Sequence, residues 1–203
     1  MDLIVISRPD STIDSESTII NNLFQLGLQY FHIRKPMSNA EQLNKLLERI
    51  APQYHHYISL HQQHQLASGF GIKRLHYTEY NRNNSNSKTW QKQKDLGYTL
   101  STSVHDIALL PSLKLFDYIF YGPVFDSISK PNHRGKMSND FCLEKGHQTS
   151  KIIALGGINV SNLSKVKKMN FDGAAVLGAI WNKPANEIEN FIKLNKSLPI
   201  NPK

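Results

Sequence analysis

The sequence predicts an α/β fold: a (β/α)8 TIM barrel in a single domain. Three observations carry this. Eight short β-rich apolar runs alternate with helical patterns from end to end. Strands separated by helical crossovers pair in parallel, and eight such units close into a barrel. No glycine-rich turn follows the first strand: Ser7-Arg8-Pro9-Asp10 does not suit the dinucleotide fingerprint of the alternative, an open doubly wound sheet. At 203 residues the chain is short for a barrel, which typically takes ~250.

The elements follow in order. Leu3 to Ser7 is the first strand, and Ile19, Ile20, Leu23 and Phe24 repeat at helical spacing until Gly27. Tyr30 to Lys35 is the second strand. Ser38 and Glu41 predict a capping box ahead of a helix whose Leu43, Leu46, Leu47 and Ile50 fall on one face. Strands three and four are Tyr57–Leu60 and Arg74–Tyr77. The Asn- and Ser-rich stretch 80–88 reads as an exposed loop, which leaves a reduced fourth helix near Thr89–Lys94. Strands five to eight are Tyr98–Val104, Asp117–Val124, Lys151–Ile158 and Gly173–Ile180, with helices at Val160–Met169 and around Ile188, Phe191 and Ile192. The barrel is predicted over residues 1–195, and 196–203 as a loose tail.

Composition narrows the function. Apolar content is 39%, charged content 20% and net charge +8. The basic residues are scattered, without a run of five, so the charge reads as solvated surface and not as a nucleic-acid site. No apolar run nears the roughly 20 residues of a membrane helix. The apolar run in MDLIVISRPD is too short for a signal peptide, and Cys142 is the single cysteine. These features predict a cytoplasmic protein with no membrane partner; the small-molecule substrate is expected from the strand-end site and the resemblance described below.

In such barrels the active site lies at the C-terminal strand ends. Strand seven ends in Gly156-Gly157 and strand eight carries Gly178, at the two loops that often hold phosphate; tight turns alone would also use glycine. His32 and Arg34 share a face of strand two. An arginine pointing into the barrel mouth wants an anion or a structural ion pair. Ser101, Ser103 and His105 share a face of strand five, with His105 at the strand end, where a proton shuttle or a structural histidine could stand. Ser127, Ser129 and Lys130, after strand six, form a candidate anion clamp, though an ordinary polar loop looks similar. His55, His56, His61 and His64 have no Cys or carboxylate company, so the sequence predicts no zinc site among them.

Taken together, HIRKP, STSVHD, DYIFYGPVFDSISK, ALGGIN and DGAAVLGAIW resemble the thiamine-phosphate synthase/TenI family from Leu3 to about Trp181. The resemblance implies the barrel fold and a role in assembling thiamine phosphate from its thiazole and pyrimidine halves. It implies a phosphate grip at Gly156, Gly157, Leu177 and Gly178. It also marks departures. The synthase pattern at strand two is Gln-Leu-Arg-x-Lys, whereas here Pro36 stands where the lysine is expected. Two magnesium carboxylates are expected after strands three and four; this chain has His61-Gln62 and, near the second position, Asn81. Neutral amides are poor magnesium ligands. The resemblance thus implies a metal-independent thiazole tautomerase working through His105, Arg34 and Lys130. His32, Ser103, Ser127 and Ser129 would join the phosphate grip in binding substrate. Mg2+ enters only if the chain is a synthase, and a silent phosphate-ligand sensor is the third possibility.

Overall fold

The structure is a computed structural model that describes residues 1–10, 13–126, 141–144, 146 and 149–198. Eight parallel strands close into one barrel in sequence order: β1 (Asp2–Ile6), β2 (Phe31–Ile33), β3 (Ile58–Leu60), β4 (Arg74–Tyr77), β5 (Thr99–Val104), β6 (Tyr118–Tyr121), β7 (Lys151–Leu155) and β8 (Gly173–Val176). Closure is made by β1 on β8, where Leu3 faces Ala174 and Val5 faces Val176. The expected barrel is therefore present, and the open sheet is not.

Helices α1 (Ile13–Gln25), α2 (Ala40–Glu48), α3 (Glu79–Asn83), α4 (Ser87–Asp95), α5 (Leu163–Lys168), α6 (Gly178–Trp181) and α7 (Glu187–Lys196) make the crossovers together with short 3-10 turns. The cap of α2 differs from the expected Ser38/Glu41 pair. Asn39 accepts from the Gln42 amide at 2.9 Å, and the Gln42 side chain accepts from the Asn39 amide at 3.1 Å. The motif lies one residue later because Asn caps as well as Ser does, and Gln42 then occupies the third helical position. Within 80–88, α3 is a short helix capped by Thr78, and Asn86 caps α4 by accepting from the Thr89 amide at 3.0 Å. Asn-rich sequence here supplies caps between helices, not one long loop. Strand eight stops at Val176, and the expected remainder turns into α6.

Two cores result from the period-2 alternation of the strands. Phe31, Ile33, Ile58, Leu60, Leu75, Leu100 and Ile119 face outward against Leu23, Leu43, Leu46, Leu47, Val166 and Phe191 of the helices. Burial of such side chains contributes about 1.5–3 kcal/mol each. The inward set is different. Ile4, Ile6, Tyr118, Phe120, Ile153 and Ala175 form a small apolar cluster, and the buried His32, Ser59, His76 and Ser101 complete the interior. Barrel interiors are usually filled by branched apolar side chains. Here one wall, from β2 to β5, is polar.

Candidate functional site

The C-terminal strand ends surround a cavity of about 770 Å³ whose lining includes Arg34, His61, His76, Ser103, His105 and Leu177. Arg8, Asp10, Glu79 and Asn182 complete its polar rim, with Phe120, Leu155 and Trp181 as apolar walls. Trp181 is fixed by donating from its indole nitrogen to the Ile6 carbonyl at 2.7 Å.

Arg34 follows β2 directly, and its amide donates to the Ser7 hydroxyl at 2.8 Å. Its guanidinium has no carboxylate partner among the described residues, so the structural ion pair is not what holds it there. Its neighbour Lys35 has turned the other way. The Lys35 ammonium is buried against the Glu16 carboxylate and donates to the Asp10 carbonyl at 2.5 Å. Burial pushes the Glu16 carboxyl up, and the Lys35 ammonium pulls it back down.

His105 lies just beyond β5, exposed on the cavity wall. Its Nδ1 sits 2.5 Å from the Gly122 carbonyl, which can only accept. In the neutral ring the proton is therefore on Nδ1, which leaves the Nε2 lone pair for a ligand. Ser103 also faces the cavity, its hydroxyl 3.0 Å from His76 Nε2. Ser127, Ser129 and Lys130 lie outside the described residues.

At the ends of β7 and β8, Gly156 and Gly157 have φ of +100° and +65°. A Cβ on Gly157 would fall 2.3 Å from the Asp126 carbonyl oxygen, so both conformation and space demand glycine. Among the described residues the amides of Gly157, Leu177 and Gly178 donate to no backbone acceptor. Unpaired amides at adjoining loop ends are suited to an anion.

His32 is a correction. It was expected at the phosphate, but it is fully buried below the cavity with both ring nitrogens taken, by His61 Nε2 at 2.9 Å and the Tyr118 hydroxyl at 2.8 Å. It shares a face with Arg34 but lies one layer deeper, out of reach of a ligand. His76 and Tyr118 were not singled out in the sequence. The alternation Leu75-His76-Tyr77, apolar around one histidine, is the signal that would have turned His76 inward.

Burial pushes His76 down to about 3, with further lowering by His64, Arg34 and Arg82. Burial likewise holds His32 and His61 well below the ordinary value. All three are neutral near pH 7. Their nitrogens lie within 4.8 Å of one another, which raises the question of a metal. The rings argue against one. His61 and His76 are stacked, 3.9 Å apart at 22°, so their in-plane lone pairs run side by side and do not converge. His32 and His61 already share a proton. As for magnesium, the two positions at issue are neighbours: the Asn81 amide reaches the His61 carbonyl at 3.5 Å. Gln62 accepts from the Lys35 amide at 3.1 Å, while the buried Arg82 guanidinium is bonded to the Thr102 hydroxyl at 2.7 Å and the Ser103 carbonyl at 2.6 Å on β5. Two neutral amides in place of carboxylates do not fit a divalent cation.

Fold and cavity define a (β/α)8 barrel whose C-terminal mouth is lined by Arg34, Ser103 and His105, with glycine turns at the end of β7. The sequence profile described as thiamine monophosphate synthase matches residues 3–180, and the chain belongs to that family. It is 32% identical to a thiamine-phosphate synthase of Oceanobacillus iheyensis over 43% of this chain and 42% of that protein, so this match spans under half of the relative's length. A thiamine-phosphate synthase of Lysinibacillus sphaericus is 24% identical over 89% of this chain and 86% of its own. Among solved structures, thiamine phosphate pyrophosphorylase from Bacteroides thetaiotaomicron superimposes with a TM-score of 0.72 at 28% identity, covering 97% of each chain. A 3-hexulose-6-phosphate synthase shares the fold alone, at 13% identity and a TM-score of 0.70. No helix among the described residues is long and apolar enough to cross a membrane.

Proposed function

We propose that this chain is an enzyme of thiamine biosynthesis that tautomerises a thiazole phosphate carboxylate without metal. One observation carries the reading: amides at Gln62 and Asn81 stand at the two positions where a synthase of this family would need carboxylates for magnesium. The amides of Gly156, Gly157, Leu177 and Gly178 hold the substrate phosphate. Arg34 meets the carboxylate, joined by Ser127, Ser129 and Lys130. His105, its Nδ1 proton fixed on the Gly122 carbonyl, takes a proton from the ring through Nε2 and returns it at the other position. The second reading is the synthase, favoured by the names of the relatives. That reaction expels pyrophosphate, whose charge must be neutralised as it leaves.

The test is a pair of assays on one preparation. Tautomerisation of the thiazole phosphate carboxylate, followed by NMR, is expected to persist in excess EDTA. Pyrophosphate release from the pyrimidine diphosphate and thiazole phosphate is expected to be absent with Mg2+. Magnesium-dependent pyrophosphate release would establish the synthase instead.

A further inference from the structure

A second, smaller cavity of about 180 Å³ lies at the opposite end of the barrel, lined by Asp2, Tyr30, Arg74, Asp117, Tyr118 and Lys151 among others. Tyr118 belongs to it, and His61 belongs to the mouth cavity. The two are joined through the barrel axis by one hydrogen-bonded file. His61 Nε2 meets His32 Nδ1 at 2.9 Å, His32 Nε2 meets the Tyr118 hydroxyl at 2.8 Å, and Tyr118 meets the Ser59 hydroxyl at 3.0 Å. His61 Nδ1 has no protein partner among the described residues, which leaves it open to the cavity.

We propose that His61, His32 and Tyr118 form a proton relay between the mouth cavity and the lower cavity, with His61 as a second acid–base group beside His105. A polar file is a costly filling for a barrel interior unless every member is satisfied. Each link can hold a donor and an acceptor: in one of the two sets of tautomers the distances allow, His61 Nε2–H points to His32 Nδ1, His32 Nε2–H to the Tyr118 oxygen, and Tyr118 O–H to Ser59. The groups around the file are His76, His64, Arg34 and Arg74, and both imidazoles are neutral. Neutral imidazoles pass a proton by exchanging tautomers, with no net charge in the core. His61 Nδ1 takes a proton from the ligand, whose bonding pair stays on the ligand. His61 Nε2 gives its proton to His32 Nδ1, and His32 Nε2 gives its own to Tyr118. The Tyr118 proton leaves to solvent in the lower cavity, which Tyr118 itself lines. Both rings end neutral in the opposite tautomer, and the reverse passage returns the proton.

The catalytic use of this relay rests on the tautomerase reading; the relay itself is tested without substrate. In 15N-histidine-labelled protein, the imidazole N–H exchange of His32 and His61 with solvent is measured by NMR for wild type and Tyr118→Phe. Loss of the hydroxyl cuts the relay, so exchange is expected to slow about tenfold or more. A merely structural hydroxyl would loosen the core when removed and speed exchange; that result, or no change, overturns the proposal. Should Tyr118→Phe not fold, His61→Gln makes the same cut from the mouth end, read on His32. One equivalent of Zn2+ or Co2+ bound by wild type and lost in His76→Gln would also overturn it, in favour of a metal site. Turnover is then read separately: kcat of Tyr118→Phe is expected to fall about tenfold with KM within twofold. Slowed exchange with no tautomerase activity in wild type would leave the relay standing and remove the tautomerase reading alone.

Discussion

Acid should destabilise this protein through His76, and by a calculable amount. The imidazole is 1% exposed and held between the Ser101 hydroxyl at 2.9 Å and the Ser103 hydroxyl at 3.0 Å. Burial, reinforced by His64, Arg34 and Arg82, brings it from 6.5 down to about 3. The folded value is depressed, so the folded state refuses a proton that the unfolded chain accepts. Stability is complete above pH 6.5 and falls as pH drops from there toward 3. At about 1.4 kcal/mol per pH unit, His76 alone removes about 3 kcal/mol between pH 6.5 and pH 4. His32 and His61 add in the same direction. Urea unfolding by circular dichroism at pH 7, 5.5 and 4 measures the loss. His76→Gln keeps hydrogen-bonding capacity without titrating, so its stability should fall by about 3 kcal/mol less than wild type over the same range. Equal losses in the two proteins would show that His76 does not exclude the proton and that the interior is more open than its geometry says.

Other outcomes follow from single contacts. Gly178→Asp places a carboxylate at the proposed phosphate position, and the nearest atoms its Cβ would meet belong to the Asn182 side chain, from 2.9 Å; binding of thiazole phosphate by calorimetry should vanish while the circular dichroism spectrum stays native. His105→Gln should lower kcat by ~10²–10⁴-fold with KM little changed, in steady-state assays near neutral pH. Lys35→Met strands the buried Glu16 carboxylate and should cost about 3–5 kcal/mol, by urea unfolding at pH 7. The double variant Lys35→Met/Glu16→Leu should recover most of that, since a buried pair and an apolar pair of similar volume are often near equal.

The barrel was legible in the sequence because each strand and helix carries its own period, and the order of runs dictates parallel crossovers. Gly157 was legible as a glycine at a strand end, but its positive φ against the Asp126 carbonyl came from the structure. The placement of Arg34, Ser103 and His105 around one cavity followed from strand ends converging on one face of the barrel. Depth within the barrel did not follow. Alternation assigns His32 and Arg34 to one face but cannot say that the strand tilt sets one in the sealed interior and the other at the mouth. Nor could it show that Lys35 turns back to Glu16, which requires α1 to pack beside β2. The sequence by itself determined the elements, their order and the glycine and histidine positions at the strand ends, since these depend on neighbours within a few residues. The polar file from His61 to Tyr118 was decided by tertiary structure alone. Its members are 29 and 86 residues apart along the chain and meet only because barrel closure brings β2, β3 and β6 to one axis.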